Sequence, residues 1–201
     1  MDADKIKARE ADILGKPLRI PEVRPEDLSD DVRALITPPK GYGTPGELPQ
    51  AFLVLVNNLE LFKVHQPMGS YFIVQGKLPP RDRELLILRT GWNCRSRYEW
   101  GQHVLIALEC QVSAEEIEAV KAGPTHPRWS EWDALLLRAA DELHVDFGLS
   151  DATWAALAAR NSAEQMLDTV ATVGQYHLVA MFLNSLRVPL DPGVPDVTFP
   201  S

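Results

Sequence analysis

Thiols are scarce in this chain. Of its 201 residues two are cysteines, Cys94 and Cys110, sixteen positions apart. That spacing is neither the CxxC of a redox pair nor a cluster of zinc ligands. If one helix carried both, they would stand more than about four turns apart and could not pair within a subunit. Idle or buried thiols are the plain reading, since an unpaired cysteine behaves as a small hydrophobe. Basic excess is also missing: 28 acidic against 20 basic residues leave a formal net charge of -8. An acidic surface argues against unaided binding to nucleic acid or to anionic membranes, so neither is expected as a partner. No apolar run reaches the length of a membrane-spanning helix. The segment MDADKIKARE is polar and mixed in charge, unlike a signal or transit peptide, and the cytoplasm is the expected compartment. The glycines show no phosphate-binding spacing and there is no HExxH, so no cofactor and no metal are expected.

What is present is helical. Strand-like alternation is almost absent, and the expected fold class is all-α. Prolines and glycines crowd residues 1–46, which read as an irregular N-terminal arm with a short helical piece near Pro25–Leu35. Residues 47–190 read as a single helical domain, and residues 191–201 as a loose C-terminal tail. Within the domain an amphipathic helix is expected over Gly46–Lys63, and a short one, or a strand, over Met68–Gln75. Arg81–Trp92 follows, started by Pro80, and a break is expected at Gly91 and Asn93. Arg97–Cys110 is next; its VLIAL segment, apolar nearly all round, marks it as a central or interface helix. Ser113 and Glu116 form a capping-box pattern ahead of a helix that ends near Gly123. Further helices are expected over Ser130–Val145, Ala152–Ala159 and Ser162–Leu186.

Polar side chains gather on one stripe of this pattern. At about 100° per residue, Ser96, Glu99 and His103 share a helix face that continues into Ala107 and Cys110. A carboxylate and an imidazole four residues apart can touch, and if the stripe faces inward their proton affinities shift. On an exposed face the same pair is an ordinary surface interaction. A turn at Gly91–Arg95 would fold the preceding helix back and let Glu84 face this stripe. Around it stand Tyr98, a hydrogen-bond donor although it points off the stripe on a regular helix, and Arg97 and Arg95, cations suited to a carboxylate. Tyr71 is a candidate pocket wall. His177, on the long last helix, lines the same pocket if that helix packs beside the hairpin, although a histidine on an apolar face is commonly a core residue.

These residues carry a resemblance. The stretch Leu78-Pro-Pro-Arg-Asp-Arg-Glu-Leu-Leu-Ile-Leu-Arg, then Tyr98-Glu-Trp-Gly-Gln-His, resembles the carboxymuconolactone decarboxylase superfamily, which includes the alkyl hydroperoxidase D type proteins. The match covers about residues 50–122. Gln175-Tyr-His and Asn184 resemble the last helix of longer members. In the family's redox branch a Glu is followed by a CxxC and then a His. Laid on this chain, those positions are Glu84, then Ser96 and Glu99, then His103. The acid–base pair is kept and both thiols are gone, which departs from the peroxidase pattern because that chemistry needs an attacking thiolate and a resolving thiol. The resemblance therefore implies a cofactor-free lyase, decarboxylase-like, or a related acid–base enzyme. Its substrate would be a small aromatic-derived or cyclic organic acid. Glu84, Glu99 and His103 would be catalytic, and Ser96, Tyr98, Tyr71, Arg97 and His177 would bind substrate. A homo-oligomer is expected. The rival readings are a catalytically silent small-molecule binder and a thiol-dependent peroxidase.

Overall fold

The computed structural model describes residues 15–38 and 48–199. The turns expected around residues 39–46 lie outside the described residues. Among the described residues there are helices and no strand. A 3-10 turn, Pro25–Asp27, precedes α1 (Asp30–Ile36). The following helices are α2 (Gln50–Leu55), α3 (Leu59–Val74), α4 (Pro80–Asn93), α5 (Arg97–Glu109) and α6 (Ala114–Ala122). The last three are α7 (Glu131–Val145), α8 (Asp151–Ala158) and α9 (Ala163–Leu186). Among the described residues, no helix is long and apolar enough to cross a membrane.

Serines start most of these helices. Ser29, Ser113, Ser130, Ser150 and Ser162 each accept a hydrogen bond from a backbone N–H of the first turn. Each such cap is worth about 1 kcal/mol. Glu116 and Gln165 reach back to complete capping boxes at α6 and α9. The sequence pattern is corrected near residue 58. Helix α2 passes through a 3-10 turn, Val56–Asn58, and the Asn58 side chain then caps α3 by accepting from the Leu61 N–H. Residues 68–75, expected as a separate short element, continue α3 through Pro67 up to Val74.

The central helix is α4, not α5. Helix α4 packs against α5, α6, α7 and α9, and Leu85, Leu86, Ile87 and Leu88 are all fully buried. Four consecutive buried residues mean that every side of this helix is covered. On α5, by contrast, Leu105 and Leu108 are exposed while Ile106 and Ala107 are buried. Burial all round α4 takes its polar side chains inward with the leucines, and Asp82, Arg83, Glu84 and Thr90 are buried as well. Each then needs an internal partner.

The C-terminal segment is packed, not loose. Val197 and Phe199 belong to the main core, with the Phe199 ring 4.9 Å from Trp92. Its path crosses α5 at Gly101, where an added Cβ would lie 2.4 Å from the Pro195 carbonyl oxygen and 2.5 Å from a Val194 methyl. Gly101→Ala is therefore expected to lift the segment off the helix. Its cost of about 1–3 kcal/mol of overpacking exceeds the roughly 1 kcal/mol that alanine brings to a helix interior. Limited proteolysis should show cleavage within residues 190–199 appearing in the variant. Equal protection in both proteins would count against the close crossing. The arm is held too: the Arg19 N–H donates to the Leu186 carbonyl (3.1 Å) and the Val23 N–H to that of Leu53 (2.9 Å).

Candidate functional site

Helices α4 and α5 form a tight antiparallel hairpin. Cys94 closes α4, Arg95 takes a left-handed conformation (φ 52°), and Ser96 begins α5 while its N–H donates to the Gly91 carbonyl (2.9 Å). A three-residue turn of this kind brings the facing stripes into register. His103 Nδ1 meets Glu84 Oε2 at 2.7 Å, both side chains almost wholly buried. Because a carboxylate only accepts, Nδ1 is the donor when Glu84 is charged. The other carboxylate oxygen, Oε1, accepts from Arg83 Nε at 2.8 Å. The Arg83 guanidinium also donates to the Ile73 carbonyl (3.3 Å) and reaches Cys110 Sγ at 3.6 Å. Glu84 is thus the shared partner of a buried arginine and a buried histidine.

One hairpin level away lies Glu99. Its carboxyl group rests on Gly91, where an added Cβ would come within 3.1 Å of Oε1. Gly91 therefore does not break α4 but makes room for a neighbour. Both Glu99 oxygens are buried with no hydrogen-bond partner, as is Ser96 Oγ. Burial pushes the Glu99 carboxyl well above the usual carboxylate range, which favours its protonated form.

A cavity of about 110 Å³ opens beside His103. From α5 it is lined by Tyr98, Gln102 and His103, and from α9 by Gln175, Tyr176 and Leu183. Helix α3 adds Phe62, His65, Gln66, Gly69, Ser70 and Ile73, with Phe52 and Leu55 of α2 completing the wall. The Tyr176 ring stands edge-on to His103 at 4.8 Å. Burial holds the His65 imidazole below its usual range, which keeps it neutral. Among the described residues, neither lysine nor arginine lines this space.

Asp191 fixes one wall from outside. Its carboxylate accepts from the Tyr98 hydroxyl (2.6 Å), the Gln102 side-chain amide (2.6 Å) and the Gln50 N–H (2.9 Å). Burial, and then the Asp191 charge, drive the Tyr98 hydroxyl far above the ordinary tyrosine range. Tyr98 is therefore a fixed hydrogen-bonding wall and not a proton donor.

The structure thus brings Glu84 and His103 together and sets Tyr98 and His103 on the cavity. The remaining sequence candidates lie elsewhere. Glu99 and Ser96 are sealed between α4 and α5 and do not line the cavity. Tyr71 lies one position off the lining stripe of α3 and donates to Asp168 Oδ1 (3.1 Å). Arg97 pairs with Asp196 of the C-terminal segment, and Arg95 and Arg97 border a separate hollow with Arg187. His177 is turned about 100° from Tyr176 on α9 and points away from the cavity, toward His144 (2.8 Å). Sequence reasoning passed over His65, Gln66, Gln102 and Asp191. The α3 set was visible in principle: positions 62, 65, 66, 69, 70 and 73 form one helical stripe.

Residues 65–126 match the Carboxymuconolactone decarboxylase family, in keeping with the resemblance carried by the hairpin. No curated protein matches the chain. Among solved structures, a peroxidase-related protein with an alkylhydroperoxidase AhpD core, from Ralstonia eutropha JMP134, is similar at 18% identity. The match has a TM-score of 0.76 over 89% of this chain and 95% of that one. A peroxidase-related protein from Silicibacter sp. TM1040 has a TM-score of 0.76 at 13% identity, over 90% and 97% of the two chains. The debrominase Bmp8, a Cys-to-Ala variant in complex with 2,3,4-tribromopyrrole, has a TM-score of 0.73 at 13% identity, over 88% and 93%. At such identities the likeness is one of fold: the chain has the all-α AhpD-like architecture.

Proposed function

We propose that this chain is an acid–base enzyme that moves a proton on a small cyclic organic acid, without thiol chemistry, with decarboxylation or another carbon–carbon cleavage as the reaction. The observation that carries this reading is the buried Glu84–His103 pair at the wall of a largely apolar cavity. With Nδ1 donating to Glu84, Nε2 is the ring atom that takes or delivers a proton, and the carboxylate stabilises the imidazolium formed in between. Neutral His65 is a second proton acceptor on the same cavity. At about 110 Å³ the cavity is smaller than the roughly 150 Å³ apolar cavity that holds benzene, which limits an enclosed ligand to one ring at most. Among the described residues, its walls offer a substrate carboxylate amides and a hydroxyl from Gln66, Gln175 and Ser70 but no lysine or arginine. A carboxylate so poorly solvated is favoured to lose carbon dioxide, because the charge then spreads into the ring.

The thiols support this reading by their placement. Cys94 and Cys110 cap opposite ends of the hairpin helices, and neither lines the cavity. The solved debrominase holds a halogenated five-membered ring, which is consistent with a one-ring ligand. The test is a panel of single-ring carboxylic acids assayed for carbon dioxide release. His103→Gln is expected to lower kcat/KM by roughly 100-fold or more, with the helical circular dichroism spectrum unchanged. Peroxide reduction by the unaltered chain that disappears in Cys110→Ser would overturn the proposal. So would turnover indifferent to His103→Gln.

A further inference from the structure

Cys94, His144 and His177 meet on the side of α9 turned away from the cavity. Cys94 closes α4, His144 lies in the last turn of α7, and His177 sits midway along α9. Each offers one donor atom, and the three atoms lie within 4.8 Å of one another. We propose that these side chains bind a zinc-type divalent metal ion, leaving a fourth position to water.

The surroundings hold the three donors in place. His177 Nδ1 is 2.8 Å from the Val173 carbonyl oxygen, which can only accept. That hydrogen bond puts the ring proton on Nδ1 and leaves the lone pair on Nε2, pointing into the cluster. Backbone carbonyls orient metal-binding histidines in the same way. Nε2 faces His144 Nδ1 at 2.8 Å, with the two rings stacked at 30°. Cys94 is pinned by its backbone: its N–H donates to the Thr90 carbonyl (2.8 Å), and its own carbonyl accepts from Asn184 Nδ2 (2.9 Å). Asn184 lies about two turns along α9 from His177, so one helix carries an imidazole donor and also anchors the thiol.

Donor chemistry and spacing agree. A thiolate with two imidazoles suits zinc and its borderline-soft neighbours, not magnesium or calcium, which take oxygen ligands. Zn–N near 2.0–2.1 Å and Zn–S near 2.3 Å place tetrahedral donors roughly 3.3–3.6 Å apart. The histidine pair must open by about half an ångström. The widest pair has at most little more than an ångström to close, which side-chain rotation provides. All three residues are only partly buried, so water reaches the fourth position. Asp141, one turn before His144, is held by Arg89 (2.6 Å) and Asn93 (2.8 Å). On binding, the Cys94 thiol gives its proton to solvent, and His144 exchanges its proton from Nδ1 to Nε2. One proton is released and no electron moves.

The experiment uses the full chain, stripped with a chelator and titrated with Co2+ and then Zn2+. One equivalent of cobalt should bind with a thiolate-to-cobalt charge-transfer band that zinc abolishes. In peptide mapping, zinc should protect Cys94 but not Cys110 from alkylation. Cys94→Ser should abolish the band, and His144→Ala and His177→Ala should each weaken binding by at least about tenfold. Cys110→Ser should leave it intact. No charge-transfer band with the unaltered chain would overturn the proposal, as would equal alkylation of Cys94 with and without zinc. A band that survives Cys94→Ser would do the same. The alkylation measurement needs no variant, so a poorly folding substitution does not blunt the test. None of these readouts depends on turnover in the His103 cavity.

Discussion

Glu84→Gln will lower the unfolding free energy by about 3–5 kcal/mol, the usual cost of removing one partner from a buried ion pair. The size follows from what Glu84 holds. Its Oε1 accepts from Arg83 and its Oε2 from His103, and all three side chains are buried. A glutamine keeps one acceptor oxygen but turns an amide N–H2 toward the second donor and removes the charge that offsets the Arg83 guanidinium. Carbonyl contacts from α3 remain to Arg83, yet they do not neutralise it. Denaturant unfolding followed by circular dichroism measures the loss. The comparison variant is Glu118→Gln, whose exposed carboxylate pairs with Lys121 and should cost less than about 1 kcal/mol. If the two variants lost similar stability, Glu84 would not be the electrostatic keystone of the hairpin.

Glu99→Gln should act in the opposite direction, and increasingly so with pH. Burial raises the folded-state pKa of Glu99 well above the ordinary glutamate value of 4.5. Below about 4.5 the carboxyl is protonated in both the folded and unfolded states and favours neither. As pH rises past the unfolded value, the unfolded chain releases this proton while the folded chain retains it. Stability then falls by about 1.4 kcal/mol per pH unit until the folded group also ionises. Glutamine occupies the same space above Gly91 and does not titrate. The variant should therefore match the natural chain near pH 4.5 and exceed it progressively as the pH rises above that value. Thermal unfolding at a series of pH values gives the two curves. Parallel curves would mean that Glu99 ionises inside the protein, with a partner the present geometry does not supply.

How much of this was legible depended on how local each signal is. Serine caps and capping boxes are decided within four residues: Ser113 caps its helix with Glu116 as the pattern places it, while Ser130 and Ser162, expected as first helical residues, are the caps of theirs. The facing of Glu84 and His103 was also readable, because a short turn between two helices leaves few registers. Gly91 was not. Its role depends on the carboxyl that leans on it from α5, and a sequence read along one helix sees only a residue prone to break it. On α9, apolar on most sides, the choice between Tyr176 and His177 for the cavity is a rotation that periodicity cannot fix. The α3 lining stripe was lost because dividing the chain between residues 63 and 68 cut it in two. Asp191 carried no signal, since an irregular segment has no period to announce which residue it will present.

That last residue has a consequence for how the cavity can change. Tyr98 and Gln102 stand on a rigid helix, but their outer polar ends are fixed by a carboxylate from a segment that obeys no helical register. A slip or single-residue insertion after Pro189 would reposition two lining side chains while leaving the α4–α9 core as it is. Ligand preference in this architecture can therefore drift through the least constrained stretch of polypeptide, and two chains with identical cavity residues need not select the same molecule.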